Sequence, residues 1–144
     1  MMLGSTLAGV AFSNASVALV HGMSRPIGAF YHVPHGLSNA MLLPTVTEYS
    51  IPAAAERYAD CARAIGAADS SDNTKQANQK LMEELYALND ELQVPTLEDF
   101  GVDREHFFSN LETMATQALA SGSPSNNPRI PDVGEMIELY KKLW

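Results

Sequence analysis

Apolar residues along most of this chain recur every three or four positions, a spacing that predicts α-helices. In the clearest case Leu81, Leu85, Leu88 and Leu92 form one stripe, and Asn73 or Thr74 can cap its start. Further helices are predicted over the other apolar stretches: from about Leu3 to Val20, from Pro26, from His35, from Pro52 to Ile65, from Asp103 to Ala120 and from Pro131 to Leu143. No segment keeps a period of two. The fold class is therefore all-α, and residues 1–144 are expected to form one domain with a hydrophobic core.

The first stretch of the chain differs from the other predicted helices, because Met1 to Ser24 contains no charged residue. Gly9, Asn14 and other small or polar residues make it only mildly apolar, and no basic segment precedes it, so neither a signal peptide nor a membrane span is indicated. Small residues are typical of a helix that is buried on all sides. We therefore expect Leu3 to Val20 to form a buried helix that needs a covering surface.

Composition narrows the class of protein further. A formal net charge of -8, with nine scattered basic residues, argues against nucleic acid as a partner. A hydrophobic content of 46% is ordinary for a soluble globular chain. The single cysteine, Cys61, excludes a disulfide framework and is expected to be a buried structural thiol, which fits a reducing cytoplasm.

Three of the four histidines lie in one short, mostly apolar segment, Val20 to Pro44. His21 and His35 each precede a glycine, which allows the backbone to approach a bound group closely, and helical patterns flank the pair. Neutral imidazole is the commonest metal ligand, so a shared metal site follows as a hypothesis. Two hydrogen-bonded histidines at helix ends are the alternative, because a metal site needs three or four protein ligands, or solvent in the open position. His32 and His106 are interpreted as solvent-exposed.

The sequence of this segment, HGMSRPIGAFYHVPHGLSNAMLLP, closely resembles the signature of the iron-containing (group III) alcohol dehydrogenases. The preceding AGVAFSNASVALVHGM, the NNPR of residues 126–129 and the closing ELYKKLW extend the resemblance over essentially the whole chain. The resemblance implies the helical, metal-binding C-terminal domain of the iron-containing alcohol dehydrogenase and dehydroquinate synthase-like fold. It also implies that the N-terminal nucleotide-binding domain is absent, so the sequence is interpreted as a fragment or truncated product.

The resemblance implies a metal site as well. In the family one divalent iron is held by an aspartate and a histidine from an upstream helix and by two histidines of the motif, whose positions match His21 and His35. The metal acts as a Lewis acid on the alcohol oxygen, and hydride passes to the nicotinamide of NAD(P). The resemblance leaves open Zn²⁺ or another divalent metal instead of Fe²⁺, NAD or NADP, and the identity of the alcohol.

Three further positions are expected at the site. Arg25 stands where many members of the family have another histidine, and a guanidinium cannot act as a base. It could hold an anionic substrate or a cofactor phosphate, but we favour a structural role in which its planar fork caps a turn. Phe12 resembles the family's aromatic wall beside the substrate. Ser123 falls where members of the family line the pocket with a small residue.

Two functions follow from these expectations. The first is the catalytic, metal-binding part of an iron-dependent, NAD(P)-linked alcohol dehydrogenase that interconverts alcohols and aldehydes or ketones, with the isolated chain inactive. The second is a non-catalytic helical fragment that acts by oligomerisation. The expected partners are a small alcohol or aldehyde and either further copies of the chain or the missing N-terminal domain, with no nucleic acid and no membrane.

Overall fold

The computed structural model describes residues 2–144. Over these residues the chain forms eight α-helices, two short 3-10 turns and no strand, which confirms the all-α prediction. The 3-10 turns cover Ile51–Ala53 and Ser123–Asn126. The α-helices are α1 (Met2–Ala15), α2 (Leu19–Tyr31), α3 (His35–Ser50), α4 (Ala55–Ala64), α5 (Thr74–Glu91), α6 (Arg104–Ser109), α7 (Leu111–Ala120) and α8 (Val133–Lys141).

One apolar core joins α2, α3, α7 and α8, with α2 at its centre. Leu19, Met23 and Ile27 are fully buried because a spacing of four residues places them on one face of α2. The hydroxyl of Tyr140 in α8 donates a hydrogen bond to the Met23 carbonyl at 2.8 Å. Burial raises the pKa of this hydroxyl, so it remains a donor. Other fully buried members of the core are Leu42, Leu97, Phe107, Met114 and Met136.

A second, smaller core lies between α4 and α5. Asn73 caps the start of α5, as the sequence predicts: its side chain accepts from the Gln76 amide, and the Gln76 side chain accepts from the Asn73 amide, both at 3.0 Å. Four of the five buried residues in this core are alanines, whose small side chains allow the two helices to pack closely. The five residues are Ala59, Ala62, Ala68, Ala77 and Leu81.

The first two helices do not have the predicted bounds. The sequence predicts one helix to Val20 and another from Pro26, but α1 ends at Ala15 and α2 runs unbroken through Pro26. The proline cannot donate to the Gly22 carbonyl, and burial of the apolar face of α2 outweighs that loss. The prediction that a helix ends near His21 is therefore wrong, because His21 is the third residue of α2.

The α1 helix is not buried within this chain, so the surface expected to cover it does not come from residues 2–144. None of its residues is buried, and its large apolar side chains are more than half exposed: Met2, Leu3, Leu7, Val10 and Phe12. Among residues 2–144 no single helix is long and apolar enough to span a membrane. The α1 and α2 helices meet the criteria of length and composition only as a pair, and the pair is bent by 106°. The chain thus presents an uncovered apolar helix at its start.

Cys61 is exposed, so the prediction of a buried thiol is wrong. The α4 helix faces α5 through Ala59 and Ala62, and this orientation turns Cys61 towards solvent. Its neighbour Ala62, one residue along the helix, is fully buried instead. The error is one of helix register, which short apolar side chains specify poorly.

Two other helix bounds were wrong. The segment predicted as one helix from Asp103 to Ala120 breaks at Asn110, whose side-chain amide donates to the His106 carbonyl at 2.8 Å. Conversely, an internal proline commonly kinks or ends a helix, but α3 continues past Pro44 to Ser50. One helix therefore ends where no proline or glycine predicts an end, and another continues through a proline.

Candidate metal centre

The structure brings His21 and His35 together. They lie in the first turns of α2 and α3, which pack against each other. The centroids of the two rings are 5.2 Å apart and their planes are tilted by 56°. The glycines that follow them differ: Gly22 is buried against Pro124, whereas a Cβ at Gly36 would meet nothing within 4 Å.

The ring separation fits two imidazoles that share one metal ion. An imidazole nitrogen binds an ion such as Zn²⁺ at about 2.0–2.1 Å, so the centroids of two rings on one tetrahedral ion lie roughly 5 Å apart. The observed 5.2 Å agrees with this value. In the part of the chain that the structure describes, no group of three or more His, Cys, Asp or Glu side chains could hold a metal. These residues therefore provide a histidine pair and not a full set of protein ligands.

The surroundings of His21 favour its neutral form. Burial lowers the pKa of this imidazole, and the nearby His35 ring and Arg25 guanidinium lower it further. Only neutral histidine has a nitrogen lone pair available for a metal. The electrostatics of the pair thus suit a cation that supplies the positive charge itself.

Both ring nitrogens of His35 have polar neighbours that the sequence analysis did not single out. Ser24 Oγ lies 3.3 Å from Nδ1, and Asn39 Nδ2 lies 3.2 Å from Nε2. Ser24 Oγ also donates to the His21 carbonyl at 3.2 Å. Asn39 follows His35 by four residues, so helical spacing alone could have placed the two side chains on the same face of α3. The contact of Ser24 with His35 depends instead on how α2 packs on α3.

An apolar groove of about 430 Å³ adjoins the histidine pair. It runs between α1, α2 and α3, and Phe12 and His21 are among its lining residues, with their ring centroids 6.4 Å apart. A volume of this size matches a small-molecule pocket. The other lining side chains are mainly apolar, but the groove also contains five further polar residues: Ser16, Asn39, Thr47, Tyr58 and Asn127.

Arg25 and Ser123 are not placed as the sequence analysis expected. Arg25 lies inside α2, is exposed, and makes no hydrogen bond or ion pair with residues 2–144, so no capping contact accompanies it there. Ser123 is buried at the start of a 3-10 turn and does not line the groove. His32 and His106 are exposed, as predicted.

The class of protein that the structure defines is an all-helical domain with a histidine pair beside an apolar groove. The chain belongs to the Fe-containing alcohol dehydrogenase family: residues 1–144 match its C-terminal part. Lactaldehyde reductase of Escherichia coli K12 is 38% identical over 145 residues, which cover 100% of this chain and 37% of that protein. NADPH-dependent butanol dehydrogenase of Clostridium saccharobutylicum is 31% identical over 149 residues, which again cover 100% and 37%.

Solved structures agree with this assignment. The crystal structure of a 1,3-propanediol oxidoreductase superposes with a TM-score of 0.87 at 33% identity, covering 96% of this chain and 35% of that one. The iron-containing alcohol dehydrogenase from Thermococcus thioreducens gives a TM-score of 0.81 at 37% identity, covering 96% and 34%. The resemblance seen in the sequence is confirmed, and the chain spans about 37% of the length of the curated relatives it matches.

Proposed function

We propose that this chain is the metal-binding part of an alcohol dehydrogenase that interconverts small alcohols and aldehydes or ketones. His21 and His35 would hold one divalent metal ion, Fe²⁺ in the first place. The observation that carries the proposal is the 5.2 Å separation of the two rings beside an apolar groove. The relatives named above support it, because their names refer to lactaldehyde, butanol and 1,3-propanediol.

The residues of this chain would bind and shield the reacting groups. A bound divalent ion polarises the oxygen of an alcohol or carbonyl, and NAD(P) accepts or supplies the hydride. Phe12 and the apolar wall of α3 would exclude water from the groove and pack against the carbon chain of the substrate. Arg25 would place a positive charge near His21, where its guanidinium could not act as a base.

The uncovered face of α1 favours a second candidate function. Exposed Leu3, Leu7 and Val10 form an apolar surface of the kind that drives association between chains. A module that works only by association would not depend on the histidine pair. Replacing both His21 and His35 by alanine would then leave the oligomeric state of the chain, measured by light scattering, unchanged.

A fusion protein tests the catalytic proposal. In the fusion, residues 1–144 would replace the matching C-terminal part of Escherichia coli lactaldehyde reductase. The N-terminal part of the fusion would be that of the reductase itself. The expected result is oxidation of NAD(P)H that depends on both an added aldehyde and Fe²⁺ and that is lost in His21→Ala. A folded fusion that binds the nucleotide but has no more activity than His21→Ala would contradict the proposal.

A further inference from the structure

Ser24 is buried, with 1% of its surface exposed, and it contacts both histidine segments. Its Oγ lies 3.2 Å from the His21 carbonyl oxygen and 3.3 Å from His35 Nδ1. We propose that Ser24 is a positioning residue that holds His35 in the tautomer with its proton on Nδ1, so that Nε2 is the atom left to bind a metal. The proposal rests on the proposed function only in taking His35 as a metal ligand.

The directions of the hydrogen bonds decide the tautomer. The Ser24 hydroxyl has one proton, and when it donates to the His21 carbonyl its oxygen can only accept from His35 Nδ1. On the other side of the ring, the amide nitrogen of Asn39 lies 3.2 Å from Nε2. An amide nitrogen donates and does not accept, so Nε2 must offer its lone pair. With Ser24 and the Asn39 amide in these orientations, both neighbours favour the proton on Nδ1.

The opposite tautomer would need two changes. Ser24 would donate to Nδ1, and the Asn39 amide would turn so that its oxygen accepts from Nε2–H. The amide nitrogen would then take the place of Asn39 Oδ1, a buried atom that has no hydrogen-bond partner among residues 2–144. Buried N–H groups without a partner are rarer than under-satisfied carbonyl oxygens, and this nitrogen has two protons. The Nδ1–H tautomer is therefore the less costly one.

This arrangement links the two candidate ligands through one serine. The ring of His35 donates to Ser24, and Ser24 donates to the backbone of His21, so a change at Ser24 affects how both histidines are held. Hydrogen-bond partners of this kind orient a ligating imidazole and set its tautomer. In the absence of a metal, the Asn39 amide donates a hydrogen bond to the lone pair of His35 Nε2. This hydrogen bond must break when an ion binds.

Nuclear magnetic resonance of the 144-residue chain, labelled with ¹⁵N-histidine, tests the proposal. Two-bond ¹H–¹⁵N correlations, recorded without metal at a pH where the imidazoles are neutral, report the tautomer of each ring. The expected result is that His35 carries its proton on Nδ1 in the wild type and that the Nε2–H form increases in Ser24→Ala. Titration with Zn²⁺ should show affinity roughly tenfold or more weaker in Ser24→Ala.

Ser38→Ala is the matched control. Ser38 is also fully buried, and its Oγ donates to the His35 carbonyl at 3.0 Å without contacting the ring. This variant should keep both the tautomer and the Zn²⁺ affinity. Equal loss of affinity in Ser24→Ala and Ser38→Ala would overturn the proposal.

The wild-type spectrum tests the proposal without any variant. An Nε2–H tautomer of His35 in the folded wild type would overturn it, whatever the variants do. If the wild type has the Nδ1–H tautomer but Zn²⁺ shifts neither His21 nor His35, the hydrogen-bonding role of Ser24 is supported and the metal-binding function is what fails.

Discussion

Gly22 and Gly36 each follow a candidate metal ligand, but the structure predicts opposite effects when they are replaced by alanine. A Cβ at Gly22 would lie 2.8 Å from Pro124 Cγ and 2.9 Å from Pro124 Cδ. Pro124 is fully buried and its ring is rigid, so the backbone of α2 or of the 3-10 turn must move. At Gly36 a Cβ would meet nothing within 4 Å.

The expected magnitudes follow from two opposing terms. Alanine is favoured over glycine in a helix by about 1 kcal/mol, and this gain applies to both positions. Overpacking at Gly22 costs about 1–3 kcal/mol. Gly36→Ala should therefore raise the free energy of unfolding by up to about 1 kcal/mol. The free energy of unfolding of Gly22→Ala should be about 1–3 kcal/mol lower than that of Gly36→Ala. The gain in helix propensity is common to both variants, so this difference reports the contact with Pro124.

Urea unfolding followed by far-UV circular dichroism measures both free energies. The two variants and the wild type should unfold with the same denaturant dependence, so that the midpoints report stability. Equal stability of Gly22→Ala and Gly36→Ala would refute the contact between α2 and the turn at Pro124. It would also remove the structural reason for glycine next to His21.

Three further predictions concern hydrogen bonds. Asn39→Ala should strengthen Zn²⁺ binding roughly 2- to 12-fold in an NMR titration, because the metal no longer displaces a hydrogen bond, and weaker binding would contradict this. Tyr140→Phe should lower the free energy of unfolding by about 1 kcal/mol, since the Met23 carbonyl loses a buried donor; an unchanged urea midpoint would count against that bond. The hydrogen bond that Tyr49 donates to Glu135, at 2.9 Å, lowers the pKa of the Glu135 carboxyl. The stability that the ionised carboxylate contributes is therefore present above the unfolded-state pKa of Glu135 and is lost as the pH falls through its folded-state pKa. Glu135→Gln should therefore reduce the loss of stability in acid, and an identical pH dependence of unfolding in both proteins would exclude this role.

Local signals predicted part of the fold correctly. The capping signal at Asn73 or Thr74 located the start of α5, because a cap acts within a few residues. Helical spacing throughout the chain gave the all-α class. The approach of His21 to His35 was predicted from their sequence pattern and from the resemblance to a family, whereas spacing alone left two separate helix ends as an alternative.

The errors arose where packing decides. Pro26 has a local preference to begin a helix, but burial of Met23 and Ile27 keeps it inside α2. Small residues in α1 indicated a helix that needs a covering surface, and such a pattern cannot show whether that surface belongs to the same chain. Ser24 was missed for the same reason, since its contact with His35 exists only after α2 has packed on α3.

The proposed function depends most on His21 and His35 binding one metal ion together. Titration of the 144-residue chain with Zn²⁺, followed by the imidazole signals of both histidines, tests that claim directly. The signals should shift together with a single dissociation constant in the micromolar range or weaker, because a two-histidine pair is an incomplete site. In His21→Ala the response of His35 should be lost. Independent shifts, or an unchanged response of His35 in His21→Ala, would contradict the claim.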